Sequence, residues 1–316
     1  MFVVRAPLLL ALGLAVGMTA CSDPGPGSGT DEGGADEAEA LRLGRVHVVV
    51  SAPTESEPEA DANPDGFELT ARFAVVRGLD EEFVRARADM PDLLEDLLNP
   101  GQCAAESALW PAALEPDNVE LGQELVLVDA GDFEVQLGST RIEVPLALVP
   151  DLLPYMSGVE YGYFAEEAPE AESITVAAAG GLGDELPAFT VDASLPPLIG
   201  LQPTADGSAS AAALETGALV LRWTADDSGS TDPTIALRLT PTLGSEPVGD
   251  DILCLVSDRG QTRLDLAELH TLGLARDADA LRVEASRARA SLFDVGAWAG
   301  TEFVVERRET SVVPLR

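Results

Sequence analysis

From residue 41 onward, apolar and polar positions alternate with a period of two. Val46, Val48 and Val50 interleave with Arg45, His47 and Val49. Phe67, Leu69, Ala71, Phe73 and Val75 interleave with Glu68, Thr70, Arg72 and Ala74. Phe133, Val135 and Leu137 flank Glu134 and Gln136, and Ile142/Val144, Ile174/Val176 and Phe189/Val191 repeat the theme. Successive side chains of a strand point to opposite faces, so each segment predicts a strand with one face on a core. Residues 80–98 break this rhythm. Asp80 stands as a helix N-cap, acids fill the next turn, and Phe83, Val84, Leu93, Leu94, Leu97 and Leu98 supply an apolar face. Pro91 splits the stretch into two short helices, and Pro100-Gly101 ends the second.

Residues 193–216 are rich in Pro, Gly, Ser and Ala, which places a domain boundary near 195. Beyond it, strands are expected at 219–223, 235–239, 252–256, 262–266, 281–288 and 302–306, separated by acidic or Gly-rich turns. The expected fold class is mainly β. Two antiparallel β-sandwich-like domains, 41–194 with a short helical insert and 195–316, follow an N-terminal region of different character. In the second part, Leu219-Val220-Leu221-Arg222-Trp223, a polar loop and Ile235-Ala236-Leu237-Arg238-Leu239 resemble an immunoglobulin or fibronectin type III-like sandwich. The resemblance implies that Trp223 sits in the core. The immunoglobulin cysteine pair is absent.

Residues 1–20 carry one positive charge, Arg5, before an apolar run from Ala6 to Val16, and then small residues. That is the layout of a secretory signal. A spanning helix needs about 20 strongly apolar residues, and this run is shorter and broken by Pro7, Gly13 and Gly17. Gly17-Met18-Thr19-Ala20-Cys21 resembles the lipobox of bacterial lipoproteins. Ala20 and Cys21 match, whereas Met18 and Thr19 replace the usual leucine and small residue. The resemblance implies cleavage before Cys21, diacylglycerol on its sulfur and acylation of the new amino terminus. Each buried methylene contributes about 0.8 kcal/mol, so several chains on one residue make a durable membrane anchor. Ser22, not aspartate, follows the cysteine; by the sorting rules of that family this favours the outer over the inner membrane of the cell envelope. Residues 22–40 have almost nothing apolar to bury and are expected to form a disordered acidic linker. Val149-Pro150-Asp151-Leu152-Leu153-Pro154-Tyr155 and Ser157-Gly158-Val159-Glu160-Tyr161 also look like uncharacterised exported lipoproteins of myxobacteria, a likeness that carries no function.

Charge narrows the partners. The 316 residues hold 55 Asp plus Glu against 19 basic residues, all arginine, for a net charge of −36. Such a chain repels phosphate backbones, which argues against a nucleic-acid partner. The plain consequence is solubility, and the alternative is adaptation to salt or divalent cations. Besides Cys21, the chain has Cys103 and Cys254. Export makes a disulfide between them chemically open, and the other reading is that Cys254 is a small buried hydrophobe in a strand.

Candidate chemistry is sparse. Asp61-Ala62-Asn63-Pro64-Asp65-Gly66 sets oxygen side chains at alternate positions before glycine, as an EF-hand loop begins. The twelfth position is Arg72, where a bidentate glutamate is needed, so the segment reads as an acidic turn; calcium held with ligands from elsewhere is the alternative. Asp226, Asp227 and Asp232 form a second acidic loop with the same two readings. His47 and His270 show no zinc spacing and read as ordinary strand and helix-end residues. There is no G-x-S-x-G elbow, P-loop or dinucleotide fingerprint, and carboxylates are too numerous to single out a hydrolytic pair. Aromatic residues make up 5%, and Trp110, Trp223 and Trp298 form no sugar-stacking pattern. The expected function is therefore a lipid-anchored, non-catalytic binding or structural module with an envelope protein or polysaccharide as partner. The alternatives are a calcium-stabilised or carbohydrate-binding module and a hydrolase with an acidic site.

Overall fold

The computed structural model describes residues 40–51, 66–109, 123–149, 156–181, 185–201, 217–226 and 233–315. Its first half holds strands β1 (Leu41–Ser51), β2 (Phe67–Arg77), β3 (Gln102–Ala105), β4 (Glu124–Leu127), β5 (Phe133–Leu137), β6 (Thr140–Val144), β7 (Leu146–Leu148), β8 (Met156–Ala165), β9 (Ser173–Ala178) and β10 (Phe189–Ser194). Helices α1 (Glu81–Arg87), α2 (Leu94–Leu97) and α3 (Glu106–Leu109) are short. The second half adds β11 (Ala218–Arg222), β12 (Thr234–Leu243), β13 (Glu246–Pro247), β14 (Ile252–Ser257), β15 (Gln261–Asp265), helix α4 (Leu266–Leu272), β16 (Ala280–Val295) and β17 (Trp298–Pro314).

The fold is mainly β, with the architecture of sheets packed face to face. One large sheet runs in the order β3-β14-β12-β16-β17-β1-β2-β4-β8-β7, with β13 beside β12. A sheet of order β10-β9-β5-β6 and the pair β11-β15 are separate from it. Most pairings are antiparallel, as expected; β1 with β17 and β4 with β8 are parallel. The odd-numbered face of β17 and the even-numbered face of β1 bury Phe303, Val305, Val46 and Val48 against Phe133, Val135, Ile174 and Val176 of the small sheet. A second core joins Leu237, Cys254 and Val283 of the large sheet to Leu219, Leu221 and Trp223 of β11 and the residue after it.

The described residues belong to one compact unit. Near residue 195 the core changes but the sheet does not break: Leu195 lies in the first core and Ile199 in the second. The chain later returns, and Val295, Trp298, Phe303 and Val305 pack into the first core. Between the two cores the sheet face is polar. Arg287, buried on β16, donates to Asp258 Oδ2 at 2.6 Å and to the carbonyls of Pro197, Leu198 and Thr224 at 3.0, 3.1 and 2.7 Å. Asp258 Oδ1 accepts from Trp223 Nε1 at 2.6 Å. Glu309 on β17 accepts from the backbone N–H groups of Ile199, Gly200 and Leu201. These bonds pin the 195–201 crossover to the sheet, because buried polar groups left unpaired would be costly.

The helical excursion forms where the sequence places it. Asp80 caps α1, accepting from the N–H groups of Glu82 at 2.9 Å and Phe83 at 3.4 Å. Glu81 and Arg85, four residues apart, pair at 2.9 Å. Val84, Ala88 and Met90 pack against Ala74, Val76, Leu125 and Leu127, on the side of the sheet away from the small sheet. Among the described residues, no helix is long and apolar enough to cross a membrane.

Candidate functional site

The segment from Asp89 to Glu95, which joins α1 to α2 and includes the start of α2, passes over the outer face of the large sheet. Beneath it lies a cleft of about 400 Å³. The space exists because neighbouring outward positions carry small side chains. Ala236 on β12 is in register with Ser286 on β16, and Ala288, two residues along β16, also lines the floor. A leucine at any of these positions would fill the gap. One wall is apolar and is made of Leu253 and Leu255 on β14 with Leu93 and Leu94 from the overlying segment. The other wall is charged: Glu68, His47, Glu284, Glu306 and Arg308.

The overlying segment is fastened at one end by arginines. Arg45, 7% exposed, donates to the Pro91 carbonyl and pairs with Glu302. Arg85 reaches the other oxygen of Glu302 at 3.1 Å. Arg72 bridges Asp89 and Glu160, each at 2.8 Å. The cleft is therefore a preformed recess between a sheet and a tethered strap.

Register sets the charged wall. Glu306 on β17 lies beside Ala288 on one side and Val49 on the other, and Arg308 lies beside Ser286. The ring atom Nε2 of His47 is 3.1 Å from Glu306 Oε2, and Arg308 donates to Glu306 Oε1 at 3.0 Å. Burial by itself would raise the Glu306 carboxyl, but the His47 hydrogen bond and the Arg308 charge outweigh it and hold it at about 2. Burial works against Arg308 as well, yet Glu306 and Glu284 keep its guanidinium above the ordinary arginine range. Glu284 is 3.4 Å from Arg308. At the cleft edge, burial and the charge of Asp96 raise Glu95.

A second recess, broader and more open, lies on the outward face of the small sheet between Glu134, Arg141, Glu143 and Thr190. Its polar groups are largely engaged: Arg141 pairs with Glu134, and Tyr161 donates to Asp129 at 2.6 Å while accepting from the Ala130 N–H. Burial and the Asp129 hydrogen bond push the Tyr161 phenol far above its ordinary value, which suits a structural clamp. The cleft under the strap, with its apolar and charged walls, is the better candidate site.

The residues singled out from sequence fall elsewhere. Cys21, Asp61, Asn63, Asp65, Asp227 and Asp232 lie outside the described residues, as do the N-terminal run and linker. Asp226 is described and pairs with Arg289 at 3.3 Å. Among the described residues, no three His, Cys, Asp or Glu side chains are grouped to hold a metal. Cys103 and Cys254 are register partners on β3 and β14 and are joined as a disulfide, closing a sequence separation of 151. Cys254 is thus both bridged and fully buried in its strand.

Glu284, Glu306 and Arg308 do not stand out in the sequence, because charged residues alternating along a strand read as a solvated face; His47, which reads there as an ordinary strand residue, meets Glu306 in the cleft wall. A signal was present nonetheless. Val48-Val49-Val50 and Phe303-Val304-Val305 are uninterrupted apolar runs, the mark of strands covered on both faces. Val49 and Val304 are the members that face the cleft, 5% and 1% exposed. No protein-family model matches the chain, and a comparison with curated proteins returns no match.

Proposed function

We propose that the chain is a cell-envelope lipoprotein whose β body is a non-catalytic binding module. Lipid on Cys21 holds it at a membrane, the outer in preference to the inner, and the acidic segment 22–40 sets the body away from the bilayer. The cleft under the strap takes the ligand, an element of an envelope protein or polysaccharide. The observation that carries the reading is the cleft itself, with an apolar wall facing a charged one. A recess of a few hundred Å³ with few convergent polar groups is the usual form of a small binding site.

Two measurements test the reading. Mass spectrometry of the chain from a bacterial envelope should find an acylated Cys21 as the first residue, and Cys21→Ser should move the protein to the soluble fraction. An intact, unmodified amino terminus would overturn the anchor. Retention of envelope polysaccharide or protein by the immobilised chain should fall when Ser286→Phe fills the cleft. Equal retention by that variant would overturn the cleft as the binding site.

A further inference from the structure

The two walls of the cleft also constrain the charge of its guest. Resting on the binding reading above, we propose that the cleft takes a ligand bearing one ammonium group on a short apolar stem. The stem lies against Leu93, Leu94, Leu253 and Leu255, and the ammonium faces Glu284.

The argument starts from register. Glu284 on β16 stands directly opposite Arg238 on β12. Cross-strand neighbours of opposite charge ordinarily pair. Here Arg238 turns away, donating to Glu106 at 2.7 Å and lying 3.6 Å from Asp251. Among the described residues, Glu284 keeps only a 3.4 Å contact to Arg308, whose shorter bonds go to Glu306. Its side chain is 18% exposed, and that exposure is to the cleft, where a guest would replace water. A carboxylate has room for about four hydrogen bonds, and one long ion pair leaves most of that capacity facing the cleft.

The remaining charges point the same way. On this wall Glu68, Glu284 and Glu306 face the single guanidinium of Arg308, with His47 beside Glu306. Arg45 and Arg238 line the cleft too, but Arg45 is spent on Glu302 and the Pro91 carbonyl and Arg238 on Glu106 and Asp251. Asp92 and Glu95 stand on the strap above. An anionic guest would meet uncompensated carboxylates, whereas a cation meets its missing partner. The net charge of −36 adds a long-range field that gathers cations. The apolar wall makes a bare inorganic cation a poor fit, because Leu253 and Leu255 offer no oxygen ligands at the other end. A primary alkylamine satisfies both walls. A free amine and a lysine side chain share this chemistry.

Titration calorimetry of the full chain, disulfide intact and at low ionic strength, tests the assignment with hexylamine, hexanol and hexanoate. Hexylamine should bind, hexanol more weakly, and hexanoate not at all. Glu284→Gln should weaken hexylamine roughly tenfold or more, the loss of one charge-assisted hydrogen bond, and Ser286→Phe should abolish binding. N-acetyl-lysine methylamide then separates the sources: binding equal to hexylamine assigns a lysine side chain, and its failure assigns a free amine. Hexanol or hexanoate matching hexylamine overturns the ammonium assignment and leaves the binding reading intact. Hexylamine binding untouched by both substitutions puts the amine elsewhere on the acidic surface and also overturns it. Failure of all three probes, with envelope material still retained in a Ser286-dependent way, refutes only the inference; loss of both refutes the cleft as a binding site.

Discussion

Replacing Arg287 with methionine keeps most of the side-chain volume and removes the charge that ties the two cores together. The guanidinium makes four hydrogen bonds, to Asp258 and to the carbonyls of Pro197, Leu198 and Thr224. Arg287 and Asp258 side chains are 3% and 0% exposed, so water cannot replace the lost partner without local opening. Removing one member of a buried pair costs about 3–5 kcal/mol, because the other charge stays buried and unpaired. Arg287→Met should therefore destabilise by about that amount and lower the melting midpoint by roughly 6–15 °C for a body of this size. Asp258→Asn in the same background removes the stranded charge while still accepting from Trp223. The double variant should be less destabilised than the sum of the singles by more than about 1.5 kcal/mol. Equilibrium urea unfolding without reductant, read by tryptophan fluorescence, measures both quantities, and Trp223 reports from the node itself. A cost below about 1 kcal/mol for Arg287→Met, or additivity within about 0.5 kcal/mol, would show that the node is not an energetic link.

Two further outcomes follow from the geometry. A Glu306 carboxyl held at about 2 instead of its ordinary 4.5 contributes about 3 kcal/mol. Because the folded value is depressed, this stability is complete above about pH 5 and fades as the pH falls toward 2; Glu306→Gln should open a stability gap at pH 7 that closes in acid, and a pH-independent gap would contradict it. The disulfide closes a separation of 151 residues, so replacing both Cys103 and Cys254 with serine should cost up to about 5 kcal/mol by chain entropy, measured by denaturant titration; an unchanged midpoint would mean that the bridge does not constrain the unfolded chain.

The local elements are legible in the order of residues along the chain. Alternation at 46–50, 67–75 and 133–137 marks β1, β2 and β5, and Asp80 and Pro91 mark the start of α1 and the break before α2. These features are legible because strand period, capping and proline geometry act over a few residues. Residue order did not mark the extent of β16 and β17. Strands were expected at 281–288 and 302–306, and the two run through Ala280–Val295 and Trp298–Pro314. Past Ala285 the inward positions become Arg287 and Arg289, and on β17 they become Arg307 and Glu309, which erases the apolar alternation. Only the tertiary structure supplies Asp258, Thr224 and the backbone of residues 197–201, which let such groups lie against a sheet. The cleft was hidden for the same reason. Small floor residues, Ala236 and Ser286, are 50 positions apart and meet through strand register, and the strap above them comes from residues 89–95. A period of two says which face of a strand is apolar; which strand lies beside it, and what crosses above, depends on contacts far along the chain.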